Sequence, residues 1–157
     1  MSVHEMERLN LPSFPLKIKQ EDEKHLILEV FRKKYIQLTP EEWVRQNFAH
    51  YLVKHKHYPE PLISMERAIK ISDKLNRSDL IAYNRNGKAL LLVECKASSV
   101  EISQKTFDQI AGYNYKIGAA FLILTNGLIH YCCKVNTETK QYEFLNDIPD
   151  YRNIMHY

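Results

Sequence analysis

The 157-residue sequence lacks several features that would place a protein in a class at once. No segment approaches the roughly 18 consecutive apolar residues of a membrane-spanning helix, and the first ten residues lack the apolar stretch of a secretion signal. Three cysteines are an odd number and form no C-x-x-C pair, which excludes a complete disulfide framework. Internal repeats and low-complexity tracts are also absent. We therefore expect a soluble, cytoplasmic protein with reduced thiols and no membrane partner.

The composition is that of an ordinary globular domain. Apolar residues make up 45% of the chain and charged residues 26%, and both values are typical of soluble domains. A chain of this length buries enough apolar surface to form a core without structural metal. The formal net charge of +3 is compatible with a nucleic-acid partner but is too small to indicate one without further evidence.

The first helix is predicted at TPEEWVRQNFAHYLVKH, residues 39–55. Thr39 and Glu42 have the spacing of a capping box, and Pro40 suits the first helical position. Apolar residues then recur at helical spacing on one face, with Val44 near its centre. The segment YPEP, which follows, is expected to stop the helix.

The rest of the chain predicts three strands, a helix and two strands. Strand-like runs occupy 65–71, 79–84 and 88–95, and an Asn-Gly pair favours a hairpin between the last two. Residues 100–117 have helical spacing, and two more strands follow at 119–124 and 128–135. A buried strand on each side of a crossover helix implies a parallel pair within a mixed sheet. We therefore predict an α/β fold of order α-β-β-β-α-β-β, with a central mixed sheet flanked by helices.

Three segments follow from this reading of the chain. Residues 1–38 form an N-terminal extension, as a strand or a helix, that packs on the edge of the core. Residues 39–145 form the main domain, and an edge strand is expected from about residue 141. Residues 146–157 form a C-terminal tail.

The chemical signal is a buried strand that ends in charged residues. An apolar run at 89–93 leads into Glu94, and Lys96 follows after one spacer. Because side chains alternate along a strand, Glu94 and Lys96 share one face and Cys95 lies on the other. The hairpin brings Asp79 towards Glu94, and two adjacent carboxylates repel unless a proton or cation lies between them. Mg²⁺ or Mn²⁺ relieves that repulsion through oxygen ligands, and Lys96 would orient or help deprotonate a metal-bound water.

These parts suit the hydrolysis of a phosphodiester bond, but the spacing leaves an alternative open. Asp79 would then start a turn, and Glu94 and Lys96 would form a salt bridge at the strand end. The spacing alone does not decide between a metal site and this salt bridge.

The hairpin sequence RSDLIAYNRNGKALLLVECKAS, residues 77–98, resembles the active-site hairpin of the PD-(D/E)XK nuclease superfamily. Among the members of this superfamily, the chain resembles the N-terminal nuclease domain of the restriction subunit of type I restriction enzymes. The resemblance runs from about residue 39 to residue 135. Its motifs are TPEEWVRQ in the first helix, RSD, VECK as the E-x-K motif, QIAGY as the Q-x-x-x-Y motif, and LTNG. Ser78 replaces the proline that gives the superfamily its name, a departure that is common in this branch.

The resemblance implies a role for each matching residue. Asp79 and Glu94 would be metal ligands together with the backbone carbonyl of Cys95, and Lys96 would be the catalytic lysine. Gln109 and Tyr113 lie four apart on the second helix and share a face. The resemblance directs that face to the active site or the DNA backbone, with Gln109 catalytic and Tyr113 binding substrate. Otherwise the two are a surface pair with Tyr113 half packed.

The first helix offers one more acid. With Val44 at the centre of the apolar face, Glu41 falls near that face and Glu42, the capping residue, nearly opposite. A first-helix glutamate reaches the metal in similar nucleases, so Glu41 is a candidate ligand. Alternatively, Glu41 is a solvated first-turn acid that interacts favourably with the helix dipole.

The sequence thus predicts an Mg²⁺- or Mn²⁺-dependent DNA endonuclease domain. No G-x-x-x-x-G-K-[ST] phosphate loop occurs, so no helicase motor is expected within these residues. DNA is the expected partner, and other restriction or repair subunits or a second copy are further candidates. A different class remains open, namely a non-catalytic nucleic-acid-binding or assembly module of a larger restriction or repair complex. A third is a purely structural domain whose strand-end charges form a salt bridge.

Overall fold

The computed structural model describes residues 6–29, 31–71 and 74–157, and between residues 66 and 79 it describes the backbone only. Two sheets form within these ranges, one of three strands and one of six. The small antiparallel sheet has the order β1-β2-β3 and comprises β1 (Ile18–Glu21), β2 (Lys24–Glu29) and β3 (Lys34–Gln37).

The large sheet has its strands in chain order from β4 to β9. It comprises β4 (Ile63–Ile71), β5 (Lys74–Tyr83), β6 (Ala89–Cys95), β7 (Phe121–Thr125), β8 (His130–Asn136) and β9 (Gln141–Leu145). The helices are α1 (Pro40–Lys56), α2 (Gln104–Ile117) and α3 (Tyr151–Ile154), and a short 3₁₀ turn covers Glu60–Leu62. In the described part of the chain, no helix is long and apolar enough to cross a membrane.

The pairing of the large sheet confirms the predicted mixed α/β fold. β6 pairs with β7 in parallel, and α2 is the crossover between them. The other pairings, from β4–β5 to β8–β9, are antiparallel. The order from α1 to β8 is the predicted α-β-β-β-α-β-β, and β9 is the expected edge strand.

Helix α1 begins as its sequence predicts. The Thr39 side chain accepts a hydrogen bond from the backbone N–H of Glu42 (3.0 Å), and Pro40 occupies the first turn. The helix ends at His57, which has a left-handed backbone (φ 62°) and donates its N–H to the carbonyl of Leu52. Capping at both ends satisfies backbone groups that the helix termini would otherwise leave without partners.

The core has two layers, one on each face of the large sheet. The α1-side cluster includes Phe48 and Val93, and the α2-side cluster includes Leu92 and Ile110. Strand β6 is buried on both faces, which explains its continuous apolar run. The adjacent thiols lie on opposite faces, as strand alternation predicts, since Cys132 packs in the α1-side cluster and Cys133 in the α2-side cluster.

The central strand of the small sheet, β2, ends in a buried acid. Glu29, the last residue of β2, is fully buried, and its Oε1 accepts a hydrogen bond from the backbone N–H of Phe31 (2.8 Å). The Arg32 guanidinium forms an ion pair with the same carboxylate. A buried carboxylate is tolerated here because donors surround it.

The C-terminal tail is attached to the end of α1. The Tyr58 hydroxyl donates to the carbonyl of Pro149 (2.9 Å), and the Tyr58 ring contacts that of Tyr151. Asp150 caps α3 and binds Arg152 through two hydrogen bonds. His57 Nδ1 lies 2.6 Å from Oδ2 of the same carboxylate, the oxygen that also accepts from Arg152 Nη2. The arginine hydrogen bond is the main cause that lowers the pKa of Asp150.

Candidate active site

The end of β6 carries an acid and a base in contact. Lys96 Nζ lies 2.8 Å from Glu94 Oε1, and the two side chains are 28% and 21% exposed. Glu94 follows Leu92 by two residues, and Leu92 packs on the α2 side, so Glu94 shares that face. Cys95 is 1% exposed and packs on the α1 side. The strand therefore presents a half-open ion pair, called here the strand-end pair.

Asp79 lies on β5, across from Glu94 and one position beyond the last β5–β6 pair at this end of the strands. The β5–β6 register pairs Leu80 with Val93. Asp79 precedes Leu80, and Glu94 follows Val93, so positions 79 and 94 are the next neighbours in this antiparallel register. The side chain of Asp79 lies outside the described residues, and a cation shared by the two carboxylates stays a prediction.

A buried turn after β7 fixes the end of β6. The Thr125 carbonyl accepts the backbone N–H of Lys96 (2.8 Å). Thr125 is fully buried, and its Oγ1 accepts the N–H of Gly127 (2.9 Å). Asn126 Oδ1 accepts the N–H groups of Leu128 (3.0 Å) and Ile129 (2.9 Å). This is the LTNG motif, and its side chains hold together the turn beside Lys96.

The same turn is tied to two other segments. Asn126 Nδ2 donates to the carbonyl of Val100 (2.9 Å), in the loop that leads from β6 to α2. His130 Nδ1 lies 2.7 Å from Thr125 Oγ1, and His130 Nε2 lies 3.1 Å from the Asn10 carbonyl. A carbonyl oxygen can only accept, so Nε2 carries the proton. Burial lowers the pKa of His130, and the hydrogen bond to Asn10 opposes that shift. The sequence identified LTNG only by resemblance and missed His130.

Helix α1 buries a different acid from the one expected. Glu42 is 4% exposed, with Oε1 accepting from Gln46 Nε2 (2.7 Å) and Oε2 paired with Arg45 Nη2. Glu42 lies nearly opposite Val44 as predicted, but that side of α1 is also buried, since it contains the polar residues Arg45, Gln46 and Asn47. Glu41 is half-buried. Its role as a metal ligand stays a prediction.

The two motif residues of α2 differ in their surroundings. Gln109 is exposed, whereas Tyr113 is half-buried and packs against the α2-side cluster. Their predicted catalytic and substrate-binding roles stay predictions. Among residues with described side chains, no group of three or more His, Cys, Asp or Glu has the arrangement of a metal site, and Asp79 is outside that set.

Comparisons with known proteins bear on the whole domain. A family model described as the N terminus of the type I restriction enzyme R protein (HSDR_N) matches residues 40–149, which include the strand-end pair. The fold is similar to that of a fragment described as an HsdR subunit of a type I restriction enzyme from Vibrio vulnificus YJ016. That match has a TM-score of 0.53 and 20% identity, and covers 76% of this chain and 25% of that chain. No curated protein matches the sequence.

Proposed function

Because the chain belongs to the family of type I restriction enzyme R protein N termini, we propose that it is a metal-dependent nuclease of the PD-(D/E)XK type. Its reaction is the hydrolysis of DNA phosphodiester bonds, and its partners are DNA and other subunits of a restriction complex. The observation that carries the proposal is the strand-end pair, with Glu94 and Lys96 in contact (2.8 Å) beside the backbone position of Asp79.

The donor set fits a hard divalent cation. Glu94, Asp79 and the carbonyl oxygen of Cys95 would hold Mg²⁺ or Mn²⁺, both of which prefer oxygen ligands. When bound, such an ion lowers the pKa of a coordinated water and offsets the negative charge of the phosphate. The 21% exposure of the Glu94 side chain leaves the carboxylate accessible from solvent.

Lys96 supplies the other half of the chemistry. Its ammonium group contacts Glu94, so it lies where it can orient an attacking water and stabilise charge that develops on the phosphate oxygens. The backbone N–H of Lys96 donates to the Thr125 carbonyl, and this hydrogen bond fixes the position of the backbone from which the Lys96 side chain extends. A positioned group of this kind contributes about 10²–10⁴-fold to a rate.

The contact between Glu94 and Lys96 is also what a purely structural salt bridge would show. Partly exposed ion pairs typically contribute only about 0–1 kcal/mol to stability. Stability is therefore a weak reason for placing this pair at the end of a doubly buried strand, and the nuclease is the better explanation.

The test is nicking of supercoiled plasmid DNA with Mg²⁺ or Mn²⁺, compared with a chelator. We expect the wild type to nick only with metal, and Lys96→Ala to be about 10²–10⁴-fold slower. The matched control is Lys116→Ala, an exposed lysine in the last turn of α2, which should nick at the wild-type rate. Wild-type nicking by Lys96→Ala would reject the proposal. Metal-independent DNA retention without nicking would instead favour the non-catalytic binding module.

A further inference from the structure

Four aromatic side chains form an exposed aromatic patch beside α2, comprising Phe107, Tyr131, Tyr142 and Phe144. Tyr131 is 44% exposed and Phe144 is 59% exposed. The Phe107 ring lies 5.4 Å from the Tyr142 ring and 5.3 Å from the Phe144 ring, measured between centroids. The patch is thus one contiguous surface built from α2, β8 and β9.

The aromatic patch lies on the sheet face that carries the strand-end pair. Glu94 pairs with Leu124, and Leu124 pairs with Tyr131, so these three residues form one row across the sheet. Paired residues on neighbouring strands point to the same face. With strands about 4.8 Å apart, the backbone of Tyr131 is roughly 10 Å from that of Glu94. Phe144 is on this face as well, because it pairs with Cys133 of the α2-side cluster.

A cleft of about 180 Å³ opens within the aromatic patch. It is smaller than the roughly 300–1,000 Å³ of sites for drug-sized ligands, which limits its occupant to a group the size of a flat ring. Polar groups near the start of α2 form one part of its wall, and aromatic and aliphatic side chains form the rest. The lining residues are Ile102, Ser103, Gln104, Phe107, Leu124, Tyr131 and Phe144.

Charges of both signs lie beside the cleft. The first turn of α2 contains no acid, and the exposed Lys105 follows the cleft residue Gln104. Asp108, one turn further on, accepts a hydrogen bond from Gln104 Nε2 (2.9 Å). Lys96 lies one residue beyond the end of β6 and is in contact with Glu94. A ring that enters the cleft would thus have one cation, Lys105, next to the cleft residue Gln104 for a flanking phosphate.

We propose that the aromatic patch stacks an unpaired base of the DNA strand whose phosphate is held at the strand-end pair. This inference rests on the proposed nuclease function and deepens it, because it names the substrate class as DNA with unpaired nucleotides at or next to the cleavage point. Every base has a π-face, so stacking on Tyr131 and Phe144 is tolerant of sequence. Bases in an intact duplex are already stacked and would first have to be extruded.

The experiment measures binding of a short labelled single strand and of the matching blunt duplex, both in a chelator so that cleavage is absent. We expect the wild type to prefer the single strand. Tyr131→Ala and Phe144→Ala should each weaken single-strand binding about 5- to 150-fold, which is the usual effect of removing one stacking ring. Duplex binding should change little. The matched control is Tyr115→Ala, a 71% exposed ring on α2 outside the aromatic patch, which should bind like wild type.

Two further readouts separate stacking from a change in folding or charge. Phe144→Trp keeps a stacking ring and should restore the affinity. The slope of affinity against salt concentration should stay at the wild-type value in Phe144→Ala, because no phosphate contact is lost.

The failure of this proposal is distinguishable from that of the nuclease. Lys96→Ala should still bind the single strand but cleave it about 10²–10⁴-fold more slowly. If wild type never cleaves while the patch variants still lose single-strand affinity, the stacking site stands and the nuclease proposal fails. Unchanged single-strand affinity in both Tyr131→Ala and Phe144→Ala overturns the stacking site. The stacking site is also overturned if these variants change the self-association of the protein, measured by sedimentation, without changing its DNA binding.

Discussion

The parallel strands β6 and β7 end side by side in opposite ways. β6 ends in the strand-end pair, whose side chains are 21% and 28% exposed and are in contact with each other. β7 ends in Thr125 and Asn126, which are 0% and 5% exposed and bind backbone groups of the adjoining turn and loop. The carboxyl ends of these two neighbouring strands thus carry a half-open charged pair and, beside it, a buried neutral network.

The difference separates what holds the fold from what is available for chemistry. A buried polar group must be satisfied within the protein, so the end of β7 is committed to structure. A partly exposed ion pair contributes little to folding, so the end of β6 can exchange its partners for metal and substrate. We therefore expect substitutions in the strand-end pair to act on activity and those in the turn after β7 to act on stability.

The largest expected effect is the loss of metal binding and cleavage in Glu94→Gln. The amide is a weaker ligand than the carboxylate, so titration calorimetry should detect no Mn²⁺ binding and nicking should fall to background. The metal-free protein should unfold within about 1 kcal/mol of wild type, and added Mn²⁺ should no longer stabilise it. Glu101→Gln, at an exposed acid in the next loop, is the control that should keep all three properties. A purely structural salt bridge predicts instead that Mn²⁺ binds to neither protein and changes the stability of neither.

The next effect is on stability, at the end of β7. Asn126→Ala removes three hydrogen bonds, from two backbone N–H groups and to the Val100 carbonyl, and should destabilise the protein by about 2–4 kcal/mol. Urea unfolding measures this change. Asn136 is a matched control, because its Oδ1 also accepts two turn N–H groups but is exposed to solvent. An Asn126→Ala loss no larger than that of Asn136→Ala would contradict the structural role of the buried turn.

A smaller loss is expected from Gly127→Ala. Gly127 has a φ of +85°, and a Cβ there would lie 2.7 Å from Leu9 Cδ2. The left-handed backbone costs a non-glycine residue about 1–2 kcal/mol, and the overlap with a flexible leucine adds to that. Gly87→Ala has a similar φ of +79° with nothing within 4 Å, so it isolates the backbone cost in the same unfolding assay. Equal losses at the two glycines would show that the contact with Leu9 does not matter.

The elements of the main domain were predictable because their signals are local. The Thr39 cap, the apolar run of β6 and the Asn-Gly turn are each read within a few residues, and together they give the order from α1 to β8. The sheet of β1 to β3 was not predicted as a sheet. Its first strand, IKQE, is mostly exposed and carries little apolar alternation, so the pairing of the strands decides its structure.

The surroundings of the candidate site were less predictable, because they depend on register and on polar burial. The aromatic patch joins α2, β8 and β9, and its common face with Glu94 follows from two strand pairings that the sequence does not contain. The burial of Glu42 depends on Arg45 and Gln46, which a wheel centred on apolar residues places outside the core. Periodicity detects apolar faces, whereas a satisfied polar cluster leaves no periodic signal.

The smallest expected effect is a dependence of stability on pH that arises after β7. Burial lowers the pKa of His130 from its ordinary value of 6.5, so the folded state favours the neutral ring. Between the lowered pKa and 6.5 the unfolded chain binds more protons, and stability therefore falls as the pH is lowered through this window. Neutral His130 donates from Nε2 to Asn10 and accepts at Nδ1 from the Thr125 hydroxyl, an arrangement that protonation disrupts.

Urea unfolding above pH 6.5 and well below it measures this effect. The loss of stability at the lower pH should be smaller in His130→Gln than in wild type. The same acid loss in His130→Gln as in wild type would assign the pH dependence to other groups, of which His50 is the first candidate because burial lowers its pKa too.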